Sequence, residues 1–232
     1  MKKYNDFINE DISESDESLK VLMLNCTLKS KGESNTEALL KRVSEIYDEH
    51  DQKVEIDLVR VAEYKIDFGN SVDKLSDDDQ FPEIYEKILN TDIIIIGTAI
   101  WFGERTSITQ ILFERLIGAY QDTNELGQPK LYNKVGGVVI TGNEDGVHNV
   151  GSITLFNLAH LGCNIPPNAD CYWVGDAGPG ESYIKAGGEK HLYTNKTAYY
   201  LVSNTIHAAN MLKDNPFETN LEELKKNAEK YS

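Results

Sequence analysis

Cysteine is scarce in this chain. Three stand in 232 residues, Cys26, Cys163 and Cys171. They form no C-x-x-C pair and no metal-ligand spacing, which argues against a zinc site or a disulfide framework and for a reducing compartment. Basic residues are few beside acidic ones: Lys+Arg 23 against Asp+Glu 38, a formal net charge of −15. Nucleic acid and anionic membranes both need a basic surface, so neither is expected as a partner. No apolar run approaches the roughly 18 residues that span a bilayer. The acidic cluster between Glu10 and Glu17 is the opposite of a secretory signal, so a cytoplasmic protein is expected. Two phosphate-binding patterns are missing as well. Without G-x-x-x-x-G-K-[ST] a nucleoside-triphosphate P-loop is disfavoured, and without G-x-G-x-x-G so is a Rossmann dinucleotide site.

What is present is a regular alternation. Residues 21–24 (Val-Leu-Met-Leu) make a short apolar run suited to a buried strand, and residues 35–50 carry Leu39, Leu40, Val43 and Ile46 on one helical stripe. Residues 54–59 alternate apolar and polar, as an edge strand does, and Pro82 suits the first turn of a helix over 82–89. Ile93-Ile94-Ile95-Ile96 reads as a central parallel strand covered on both faces. A helix over 107–120, a fourth strand at 135–140, a helix over 149–161 and a short strand at 171–174 follow. Then come a glycine-rich insertion at 175–194, a helix over 195–212 and a last amphipathic helix over 220–231. The pattern predicts an α/β protein of right-handed βαβ units around one parallel sheet. Residues 1–18 are expected to be an acidic leader, 19–213 one domain, and 214–232 a C-terminal helical extension.

In such sheets ligands bind beyond the carboxyl ends of the strands. Three loops of unusual chemistry stand there and should converge. The first offers Thr27, Lys29, Ser30, Ser34, Asn35 and Thr36 ahead of a helix N-terminus, which suits a phosphate. Cys26 beside it would suggest a cysteine phosphatase, but the loop has no arginine to clamp a phosphoryl group, so Cys26 reads as a packing residue. The second loop sets Trp101 and Phe102 next to Gly103, two aromatic faces for a flat heterocycle. The third, residues 141–146 (T-G-N-E-D-G), lets backbone N–H groups approach ligand heteroatoms. A phosphate site, an aromatic wall and a polar wall together describe a pocket for flavin mononucleotide (FMN).

These loops resemble those of the flavodoxin-like NAD(P)H-dependent FMN reductases. The similarity spans most of residues 20–212, with closest fit to flavodoxin-family NAD(P)H-dependent oxidoreductases, whose third loop also reads T-G-N-E-D-G. The resemblance implies a three-layer flavodoxin-like sandwich with a five-stranded parallel sheet in order 2-1-3-4-5. Carried over by position, Thr27, Lys29, Ser34, Asn35 and Thr36 would hold the phosphate. Ala99, Ile100, Trp101, Phe102 and Gly103 would flank the ring and ribityl chain, and Thr141, Gly142, Asn143, Asp145 and Gly146 would line the ring edge. The family's second loop usually has proline where Ala99 stands, and its first is often S-x-R where this chain has Thr27-Leu28-Lys29.

The expected activity is hydride transfer from NAD(P)H through bound FMN to a small electrophilic acceptor: a quinone, a nitro or azo compound, or free flavin. His148 is the candidate proton donor. The alternative is a flavodoxin-type electron carrier without NAD(P)H turnover. The resemblance also implies a homodimer, with Trp173 and residues 175–194 near the neighbour's site.

Overall fold

The computed structural model describes residues 18–178 and 180–231, so the expected leader lies outside the described residues but for Ser18. The chain runs β1 (Leu19–Asn25), α1 (Asn35–Asp48), β2 (Val54–Arg60), α2 (Phe81–Leu89), β3 (Ile93–Trp101), β4 (Glu104–Arg105) and α3 (Ser107–Leu116). It continues through β5 (Val135–Gly142), α4 (Val147–His160), β6 (Asp170–Val174), α5 (Leu192–Asp214) and α6 (Leu221–Glu229). Five strands pair in parallel in the order β2-β1-β3-β5-β6. This is the expected 2-1-3-4-5 order once the two-residue β4, which pairs antiparallel with the end of β3, is set aside. It is the flavodoxin-like arrangement, in which the order reverses between β1 and β3 and a crevice opens at that switch point.

Period-two alternation explains the unbroken apolar runs. Val21, Met23, Ile93 and Ile95 face α1 and α5, packing on Leu39, Val43, Leu201 and Val202. Leu22, Leu24, Ile94 and Ile96 face the other layer and meet Ile84, Ile88, Leu112 and Leu158. A central strand must be apolar on both sides because helices cover both, whereas β2, at the sheet edge, alternates. Gly97 is required where β3 passes α1: a Cβ there would come 3.1 Å from Thr36 Cγ2 and nearer still to Leu40.

The long connection between β2 and α2 is organised from within by Arg115, which α3 carries fully buried. Its guanidinium donates to the carbonyls of Ser71 (2.6 Å), Asp67 (3.0 Å) and Asp73 (2.7 Å), pairs with Asp79 at 2.9 Å, and stacks 4.4 Å from the Phe81 ring centre. Burial pushes the Asp79 carboxyl up. Hydrogen bonds from the Leu75 and Phe81 amides, from Arg115 and from the Asp67 amide outweigh it and hold the group below the usual carboxylate range.

At the C-terminus, α6 buries none of its residues. The segment before it is tied down by Gln128 Nε2, which donates to the carbonyls of Phe217 (2.8 Å) and Thr219 (3.0 Å). No helix among the described residues is long and apolar enough to cross a membrane.

Candidate active site

The loops after β1, β3 and β5 meet in one cleft of about 650 Å3, within the ~300–1,000 Å3 range of pockets that enclose small molecules. Of the residues singled out in sequence, Thr27, Lys29, Ser34, Asn35, Thr36, Ala99, Ile100, Trp101, Phe102, Thr141, Gly142 and Asn143 line it. Gly103, Asp145, Gly146 and His148 do not. Leu28, Glu144, Trp173, Gly178, Ser182 and Tyr183 complete the lining and were not among the candidates.

The floor of the cleft is the start of α1. Ser34 is its N-cap, with Oγ accepting from the Glu37 amide at 3.2 Å, which leaves the hydroxyl proton to give. Thr36 and Thr141 share a 2.9 Å hydroxyl contact, joining the first turn of α1 to the end of β5. The Asn35 side chain is fixed by its Oδ1, which accepts from the Ile184 amide at 3.1 Å. An anion on this floor therefore meets unpaired first-turn N–H groups, the Ser34 hydroxyl, the one proton the Thr36–Thr141 hydroxyl pair leaves to give, and the Asn35 Nδ2 donors, whose carboxamide the Oδ1 contact holds in place.

Glu37, in that first turn, would repel an anion, but Arg60 at the end of β2 and Lys41 pair with it. Burial pushes the Glu37 carboxyl up, and hydrogen bonds and charge from Lys41 and Arg60 more than reverse this, keeping it ionised and compensated. Arg60 also donates to the Gly32 carbonyl at 2.9 Å, bracing the first loop from behind.

The second loop is a two-residue hairpin. β3 continues past its isoleucines to Trp101, then β4 returns with Trp101 opposite Glu104. Phe102 (φ 53°) and Gly103 (φ 75°) form the turn, both left-handed as in a type I′ hairpin. Left-handed backbone is costly for a bulky residue, and Phe102 is held there with 96 % of its surface exposed beside the cleft. Gly103 and Gly146 serve the packing between loops. Gly146 has φ 118°, and a Cβ on it would lie 2.6 Å from both Gly103 Cα and Gly103 O. Around this contact Glu144 accepts from the Gly103 amide at 3.0 Å and Asn149 Nδ2 donates to the Gly103 carbonyl at 3.0 Å. The hairpin and the third loop are one clasp.

A fourth wall comes from the chain after β6. Asn143 Nδ2 donates to the carbonyls of Gly180 (3.1 Å) and Glu181 (2.6 Å), so its carboxamide holds this segment. Trp173, expected beside a neighbour's site, is 6 % exposed on this chain's own cleft and meets Tyr183 edge-on at 5.7 Å. His148 stands exposed on the first turn of α4, edge-on to Tyr172 with ring centres 6.0 Å apart.

Cys26 lies behind the cleft, fully buried, and burial pushes its thiol up to about 12 against the opposing pull of Thr109 and Arg105. It offers no nucleophile at neutral pH, in keeping with a packing role.

Residues 19–175 match the family model for NADPH-dependent FMN reductases, and the chain belongs to that family. Among curated proteins it is similar to the 8-demethyl-8-aminoriboflavin-5'-phosphate synthase of Streptomyces davaonensis, with 38 % identity over 214 residues, 88 % of this chain and 82 % of that protein. It is also 37 % identical over 203 residues to a Mycobacterium bovis protein named as the divalent metal cation transporter MntH, covering 85 % of this chain but only 29 % of that one. Among solved structures, RosB with bound 8-demethyl-8-formylriboflavin-5'-phosphate superposes with a TM-score of 0.85 at 36 % identity, covering 93 % of this chain and 88 % of that one. The class is thus an enzyme of the FMN reductase family on a flavodoxin-like fold.

Proposed function

We propose that the cleft binds FMN and that the protein is an NAD(P)H-dependent oxidoreductase delivering reducing equivalents to a small electrophilic acceptor such as a quinone, a nitro or azo compound, or free flavin. The observation that carries the reading is the convergence of an anion floor, an aromatic hairpin and a third loop at one crevice. The fit rests on the Ser34 hydroxyl and the Thr36–Thr141 hydroxyl pair, each with one proton to give, on first-turn amides free of intrahelical partners, and on exposed aromatic faces at the hairpin tip. Bound flavin supplies two-electron chemistry that no side chain here could.

In this reading Ser34, Thr36 and the amides of the first turn hold the phosphate. Lys29, whose Nζ now donates to the Glu33 carbonyl at 3.3 Å, adds a mobile cation at the rim. Trp101 and Phe102 cover the ring, and Thr141, Gly142 and the backbone of Asn143 meet its polar edge. Gly103 and Gly146, carried over as ring contacts, act through the clasp, and Asp145 stands exposed on the third loop between them. His148 would need to reach past the rim to give a proton to an acceptor. We also propose a homodimer in the cytoplasm.

The test is direct. The purified protein loaded with FMN should lose its flavin absorbance on addition of NADH or NADPH and recover it with menadione or excess FMN. Absorbance that stays unchanged with both nucleotides would sink the NAD(P)H reading. The strain at Phe102 gives a second expectation, with opposite signs. Phe102→Gly relieves the left-handed backbone and should leave the apoprotein as stable or up to ~1 kcal/mol more stable, while FMN binds about tenfold more weakly for want of an aromatic cover. Urea unfolding and flavin titration measure the two.

The similarity to a synthase whose product is itself a flavin phosphate favours a second reading, in which the flavin held here is the molecule transformed. Mass analysis of the flavin recovered after incubation with amino donors and oxidant separates the two: an unaltered FMN mass supports the reductase.

A further inference from the structure

Among the described residues that line the cleft, Lys29 and Glu144 alone are charged. Lys29 stands in the first loop, beside the α1 floor. Glu144 stands in the third loop, and its Oε2 accepts from the Gly103 amide at the hairpin tip at 3.0 Å. Asn149 braces the same turn, its Nδ2 donating to the Gly103 carbonyl at 3.0 Å, so the clasp sets where the carboxylate lies.

The two acids near this cleft are treated differently. Glu37, beside the floor, is paired by Arg60 and Lys41. Glu144 has no such compensation. Among the described residues the Gly103 amide is its only hydrogen-bond donor, and no cation pairs with it. A backbone amide holds the carboxylate in place without cancelling its charge. In a partly closed cleft such a charge acts strongly on any charge that forms nearby, because little water lies between them to screen it.

In the flavin reading, the part of the cleft bordered by the hairpin and the third loop takes the ring. Reduction by hydride adds two electrons and one proton to that ring, and the nicotinamide leaves as its cation. The ring then carries one negative charge unless a second proton joins it from solvent. A fixed carboxylate on the wall opposes that charge. We propose that Glu144 sets the reducing power of the bound flavin. Its charge weakens the hold on reduced FMN relative to oxidised FMN and so lowers the midpoint potential, making the reduced flavin a stronger donor to the acceptor. Oxidised FMN, whose ring is neutral, is little affected. The inference rests on the flavin reading of the cleft. It gives a role to the one residue of T-G-N-E-D-G that was not carried over as a cofactor contact.

The experiment equilibrates the FMN-loaded, full-length protein with a reference dye during slow reduction by xanthine and xanthine oxidase. It is run at mildly alkaline pH, where free reduced flavin is an anion, and the apoprotein is titrated with oxidised FMN alongside. Glu144→Gln keeps the shape and a carbonyl oxygen for the Gly103 amide. It should bind oxidised FMN as the wild type does. Its ratio of reduced to oxidised affinity should rise about tenfold, which raises the midpoint by about 30 mV for a two-electron couple. Glu144→Ala also loses the clasp hydrogen bond. It should bind both forms more weakly yet show the same gain of about tenfold in the ratio, which keeps the test open if Glu144→Gln folds poorly. Asp145→Asn removes the same charge from the next residue, which is exposed and outside the cleft lining, and should change the ratio by less than about twofold. An unchanged ratio in both Glu144 variants would overturn the proposal. An equal rise in Asp145→Asn would overturn it too, by assigning the effect to surface charge in general. Wild-type protein that takes up no FMN would instead overturn the flavin reading, before any variant is made.

Discussion

Arg115→Ala is expected to lower the free energy of unfolding by about 3–5 kcal/mol, the range for removing one partner of a buried charge pair. Three carbonyls and the Asp79 carboxylate converge on this guanidinium, and all would be stranded together. Water can enter only by loosening the connection that Arg115 holds. Urea unfolding would show this as a lower midpoint, with proteolysis directed to residues 64–80. Asp79→Asn keeps the shape and some hydrogen bonding and should cost less. The same pair gives a pH signature. The Asp79 carboxyl is held below its ordinary range in the folded state, so its contribution is complete above about pH 4 and fades as pH falls through the lowered folded-state value. Wild-type stability should therefore drop on acidification below pH 4, and Asp79→Asn should show a shallower drop. Equal acid sensitivity in the two proteins would refute that account.

The second large effect is at Gly146. Alanine there is strained by its φ of 118° and cannot fit without pushing back the Gly103 backbone 2.6 Å away. We expect a loss of about 1–3 kcal/mol in stability from the backbone alone. FMN affinity should fall more than tenfold as the hairpin and third loop part, although Gly146 lines no part of the cleft. Gly32→Ala is the control. Its φ of 80° is also left-handed, but nothing lies within 4 Å of the added methyl, so only the conformational cost should appear. If Gly146→Ala binds FMN as the wild type does, the clasp does not set the ring pocket.

The sheet was legible because a doubly covered parallel strand must be apolar at every position, and Ile93–Ile96 meets that rule without ambiguity. The convergence of three loops followed from topology, since carboxyl ends of neighbouring parallel strands share one rim. The hairpin was hidden. Gly97-Thr98-Ala99 has loop composition, yet these residues extend β3 because the buried Thr98 hydroxyl accepts from the Thr106 amide and from the Thr109 hydroxyl. A type I′ turn announces itself by Asn-Gly or Gly-Gly, and phenylalanine in the first position masks the signal. Arg115 reads as an ordinary surface residue of a helix, because its partners are carbonyls more than forty residues away. The fourth wall was missed for a related reason. Its anchors are main-chain atoms held by asparagine side chains, and no residue pattern records which asparagine will turn toward which carbonyl.

Cys26 is one of three thiols placed alike. Cys163 and Cys171 are also buried, and burial raises each to about 12, as it does Cys26. At neutral pH the described chain therefore presents almost no thiolate to peroxide, quinone or alkylating agent. With FMN bound as proposed, the thiols do not compete with the flavin for electrons. A reductive titration of the loaded protein should close at two equivalents per flavin, with no slow thiol phase behind it. An electrophile turned over at the cleft should leave the three cysteines unmodified.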